Sequence, residues 1–153
     1  MYKNINHTIE HSIVNYLSTS FTTPGNFLNQ LNLSGSLVQF YTSLNPIDKS
    51  EASTVVVYCR SANEIAYNTR VYDMTVDVTC GEIAYDIATT GSTQLGQLPM
   101  YIFNEFVSSS VARGNFTDNN ISVYQVQIQG FDQDVNEDAI QSKGTFRIIG
   151  GLI

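Results

Sequence analysis

Between Arg70 and Cys80 the chain reads RVYDMTVDVTC, and apolar and polar residues alternate through it almost without a break. Tyr72, Met74, Val76, Val78 and Cys80 fall on one side, and Val71, Asp73, Thr75, Asp77 and Thr79 on the other. A period of two is that of side chains along a β-strand. The strand it predicts has one apolar face and one polar, acidic face. A sheet of such strands has to be covered on a single side, which points to a two-layer domain with amphipathic helices as the cover.

The helices are legible in the same way. Ile5, Ile9, Ile13, Leu17 and Phe21 recur every four residues, with Val14 beside them, and predict a helix over 4–21. Asn4 or Asn6 is placed to cap it and Pro24-Gly25 to stop it. Asn6, Glu10, Ser12, Asn15 and Ser18 are expected on its solvent side. A second helix is expected over 98–112, with Pro99 in its first turn, Gly114 at its end, and Phe103 and Phe106 on its core face.

Further strands are expected at 36–43, 53–61, 120–131 and 143–150. The Val55–Val57 run suggests a strand covered on both faces. Tyr124, Val126 and Ile128 alternate against Val123, Gln125 and Gln127. NPIDKSEAS reads as a break and FDQDVNEDAIQS as an acidic loop. Residues 25–35 read as an Asn-rich loop carrying apolar residues, and 81–97 fits either a short helix or a loop. The expected fold is α+β over a single domain, 1–153: a mostly antiparallel sheet of about five strands with two amphipathic helices packed on one face.

Charge narrows the function. Lys and Arg total 7 against 14 Asp and Glu, a net charge of -7. Nucleic-acid affinity comes mainly from cations on phosphates, and the seven cations here are scattered, so DNA or RNA is a poor specific ligand. Charged residues are only 14% of the chain, against about 25% in ordinary soluble domains. A surface of Asn, Gln, Ser and Thr is weakly defended against association. The first residues, MYKNINHTIEH, do not read as a signal peptide, and no run approaches the ~20 apolar residues that span a bilayer.

Three candidate sites are weak on their chemistry. Asp132, Asp134 and Asn136 match the first ligands of a calcium loop, but Glu137 stands where the turn glycine belongs and Lys143 where the bidentate Glu belongs. His7 and His11 are four apart with Glu10 between them, but Thr8 occupies the position that a zinc-protease helix gives to Glu. Cys59 and Cys80 fall in strands with no signature of an activated thiol. No nucleophile elbow, phosphate loop or dinucleotide fingerprint is present. The expectation is a non-enzyme with no cofactor and no metal.

The order helix, three strands, helix, two strands resembles the tail-terminator, or tail-completion, proteins of long-tailed bacteriophages and related neck proteins. The segments that carry the likeness are IEHSIVNYLSTSF, VVVYCRSANEIAYNTRVYDMTVDV, LPMYIFNEFVSSSVA and GFDQDVNEDAIQSKGTFRI. It covers most of the chain as a pattern and includes no signature motif; 25–35 and 81–97 depart from it. The resemblance implies a structural virion protein, made in the host cytoplasm, that forms a hexameric ring with itself. That ring caps the tail tube, contacts tail and neck proteins, and passes DNA as cargo without binding it. In such a ring Asp73, Asp77, Asp132, Asp134 and Asp138 are expected at a subunit interface or the lumen, acting through charge rather than metal. Two other readings fit the same residues: a head–tail adaptor or head-closure subunit, and a β-rich carbohydrate-binding module.

Overall fold

The computed structural model describes residues 4–22, 38–43, 53–83, 114–135 and 139–153. The helix expected over 98–112 with Phe103 and Phe106, the loop 25–35, most of 81–97, and Asp138 lie outside the described residues. The architecture is α+β. Helix α1 (Ile5–Thr22) packs on a five-stranded sheet of β1 (Val38–Thr42), β2 (Ser53–Glu64), β3 (Val71–Ile83), β4 (Ile121–Val135) and β5 (Ala139–Leu152), in the order β1-β2-β3-β5-β4. Residues 114–116 form a second, short helical segment.

Helix α1 starts where the sequence places it. Asn4 is its cap: the side-chain oxygen accepts from the His7 amide at 3.3 Å, and the main-chain carbonyl accepts from Thr8. Ile5, Ile9, Ile13 and Leu17 are all buried on the sheet. They meet Val55, Val57 and Cys59 of β2, Met74, Val76, Val78 and Cys80 of β3, Ile121, Val123 and Val126 of β4, and Phe146 and Ile148 of β5 in one core.

Four expectations need correction. The sheet is mixed and not mostly antiparallel, because β1 runs parallel to β2, with Val38 opposite Ser53. The Pro-containing break between them reads like a hairpin turn, and side-chain alternation is the same in either direction. The acidic loop is largely strand: β4 continues through Val135 and β5 begins at Ala139, so Asp132 is a strand residue directly opposite Lys143. The alternation along β4 is broken by irregularities between Val123 and Gln125 and between Ile128 and Gly130. An extra residue shifts the pattern by one position, so Val123 and Val126 are both buried and Tyr124 leaves their face; Ile128 stays on that face, opposite Phe146, but is exposed. Finally, α1 is not polar on its outer side in a simple sense: Glu10 and Ser12 are buried. Ser12 donates to the Phe116 carbonyl at 2.5 Å, and the Tyr16 and Phe116 rings meet edge to face, so the 114–116 segment covers that flank of the helix.

Candidate functional site

The sheet face away from α1 carries the acids singled out in the sequence. Asp73 and Arg147 form a two-pronged pair: Arg147 Nη2 donates to Asp73 Oδ2 at 2.7 Å and Nε to Oδ1 at 3.0 Å. Asp73 sits opposite Ile149 and Thr75 opposite Arg147, so the pair is diagonal across β3 and β5. Arg147's hydrogen bonds hold the Asp73 carboxyl below its ordinary value, and the same contacts raise the guanidinium.

Asp77 is almost fully buried, accepts from Thr145 Oγ1 at 2.8 Å, and has Arg60 Nε 3.4 Å away. Arg60 reaches it because the β2 register shifts between Cys59 and Ser61, and the extra residue is turned to this face. By register, Asp132 and Lys143 lie on this same face. Asp73 and Asp77 are therefore each paired with an arginine, Arg147 and Arg60, while Asp132 stands across the strands from Lys143. Asp134 lies on β4 opposite Gln141. A groove of about 270 Å³ opens among Thr79, Asp132, Gln133, Gln141 and Lys143.

Among the described strands, β4 forms one edge of the sheet. Its first eleven residues, ISVYQVQIQGF, include no charge and no proline. Tyr124 is 51% exposed, Ile128 45% and Phe131 39%. Long apolar edges normally carry a Lys, a Pro or another guard against strand addition; here only the two irregularities bend the strand.

Beneath α1 lies an arrangement that sequence reasoning missed. Glu10 is completely buried. Its Oε2 accepts from the Cys59 amide at 2.7 Å, and its Oε1 from the Ser43 amide at 3.2 Å and the Ser43 hydroxyl at 2.6 Å. One turn earlier, Asn6 donates to the Cys59 carbonyl at 3.1 Å. The β1–β2 ladder ends at Thr42 opposite Val57. Two helix side chains thus take over the main-chain pairing of Cys59 where the neighbouring strand stops. The available signal was their spacing, four apart and beside the apolar stripe; a solvent-side reading discards it.

The Cys59 thiol itself is free and buried. Burial first, and the Glu10 carboxylate second, push its thiol up to about 12. A raised thiol value means the unfolded chain releases this proton first. Stability from this group is complete below about pH 9 and is lost progressively as pH rises toward 12. Each unit is worth about 1.4 kcal/mol. Denaturant midpoints measured above pH 9 should therefore fall more steeply for the native chain than for Cys59→Ala, and a thiol reagent should label Cys59 only on unfolding. Equal slopes would contradict this placement.

On the exposed side of α1, the His7 and His11 rings lie nearly parallel, with centroids 6.2 Å apart. Among the described residues, no group of three or more His, Cys, Asp or Glu side chains is placed to hold a metal ion, and no helix is long and apolar enough to cross a membrane.

Neither the protein-family models nor the curated proteins provide a match for this chain. Any functional reading has to come from the geometry.

Proposed function

We propose that this chain is a non-enzymatic assembly subunit that associates with copies of itself, in the manner of the phage tail terminators its element order resembles. In that role it is a virion protein, forming a ring that joins the tail tube to the neck. The observation that carries the reading is the uncharged β4 edge with Tyr124, Ile128 and Phe131 exposed along it. Exposed apolar strips with low charge mark interfaces more often than solvent faces. A strip meeting a different surface of the next copy gives a head-to-tail contact, the kind that closes into a ring. On the face beside it Arg147 and Arg60 are already engaged by Asp73 and Asp77, which leaves fewer cations for phosphates and supports passage of DNA without affinity for it.

A carbohydrate-binding module needs aromatic rings converging on one platform. Tyr58 on β2 and Tyr124 on β4 are separated by two intervening strands, about 14 Å at ordinary strand spacing, and Tyr67 lies at the β2–β3 turn. This spread weighs against the sugar reading. Negative-stain microscopy of the purified chain tests the proposal: closed rings of uniform size are expected, and monodisperse monomers at tens of micromolar would overturn it. Rings found on a head-side connector would shift the assignment to an adaptor.

A further inference from the structure

We propose that His7 and His11 form a two-histidine clamp for a late first-row divalent cation, the class of Zn²⁺, Ni²⁺ and Cu²⁺. The site is independent of the assembly reading, since it lies on α1 and not on the β4 edge.

Positions four apart on a helix are neighbours on one face. Here the two rings are close to parallel, 15° between their planes, with centroids 6.2 Å apart. Both line a groove of about 230 Å³, together with Asn4, Thr8, Asp118 and Asn120. Both imidazole rings therefore border a space large enough for a hydrated ion.

The second observation concerns what stands behind His7. Its Nδ1 lies 3.5 Å from Glu10 Oε1, a long contact, and Glu10 is itself fixed by Ser43 and Cys59. A carboxylate behind Nδ1 favours the tautomer that keeps the proton there and leaves Nε2 with its lone pair. That is the carboxylate–histidine arrangement that orients metal ligands. The buried carboxylate cannot follow the ring outward, so it acts as a fixed backstop.

Imidazole donors select copper, nickel and zinc over calcium and magnesium, which prefer oxygen. With only two strong ligands among the described residues, water completes the coordination and the site stays open on the groove side.

The test is titration calorimetry of the full chain, free of any polyhistidine tag, with NiCl₂ and ZnCl₂ at neutral pH. One ion per chain is expected at a micromolar dissociation constant, with no heat from CaCl₂ or MgCl₂. His11 is exposed, so His11→Ala keeps the fold, checked by circular dichroism, and is expected to weaken binding by more than about tenfold. Ni²⁺ should also broaden the ring proton resonances of His7 and His11 before all others. Affinity weaker than millimolar, or affinity unchanged in both His7→Ala and His11→Ala, would overturn the proposal.

Discussion

Glu10→Ala is expected to be among the most destabilising single substitutions in the chain, at about 3–5 kcal/mol. The carboxylate accepts three hydrogen bonds, from the Cys59 amide and from both the amide and hydroxyl of Ser43, in a site with no solvent access to the side chain. Truncation removes the acceptor and leaves the donors. A buried donor without a partner costs about 1–3 kcal/mol, and among the described residues the Cys59 amide has no neighbouring strand to turn to, because the β1 ladder stops at Thr42. Glu10→Gln keeps the shape but points an amide N–H₂ at one of the donors, so an intermediate loss of about 1–3 kcal/mol is expected. Urea unfolding gives the energies, and amide exchange at Cys59 and Ser43 reports the local effect. If Glu10→Ala matched the native midpoint within error, with Cys59 still protected, the carboxylate would not be holding β1 and β2 together under the helix.

Phe146→Ala is expected to cost a similar amount, about 3–5 kcal/mol, by another mechanism. Phe146 is 1% exposed and stands opposite Val76 on one side and Ile128 on the other, in the middle of the sheet's covered face. Removing the ring leaves a cavity in the core that close-packed neighbours fill only in part. A native domain is stable by about 5–15 kcal/mol in all, so this one change takes a large share. The denaturant slope should be unchanged, since the surface exposed on unfolding is nearly the same. Arg147, the next residue, faces the other way and pairs with a partly exposed Asp73; Arg147→Ala should cost far less, because exposed ion pairs contribute little. Similar losses for the two variants would mean the faces of β5 were assigned the wrong way round.

Those two residues also mark what could be read from the sequence and what could not. The β3 stripe Met74, Val76, Val78 and Cys80 follows from period-two alternation, which survives because β3 pairs with β5 without a register shift; Phe146 faces it from a strand that the sequence reading placed but did not orient. The α1 stripe follows from four-residue spacing for the same reason. Alternation failed at β4, where the irregularity beside Tyr124 moves Val126 to the buried set; a single extra residue leaves no compositional mark. The parallel β1–β2 pairing was hidden because side-chain pattern does not encode strand direction. Glu10 was assigned to solvent because a carboxylate is rarely buried unless its partners are known, and these partners, Ser43 and Cys59, are 33 and 49 residues away. Asp73 and Asp77 were found as a pair, but their arginines come from β5 and from the displaced Arg60 of β2. Tertiary register, and not local sequence, decides that the acids are neutralised.

The most direct measurement of the central claim is multi-angle light scattering on the native chain beside Gln127→Lys/Gln129→Lys, which places two charges on the exposed stretch of β4 without touching the core. Both glutamines are exposed, so the variant should fold with an unchanged unfolding midpoint. The account predicts a native mass of several subunits and a variant mass of one, because charge on an edge strand blocks its addition to a neighbour. A native chain that elutes as a monomer, or a variant that retains the native mass, would contradict it.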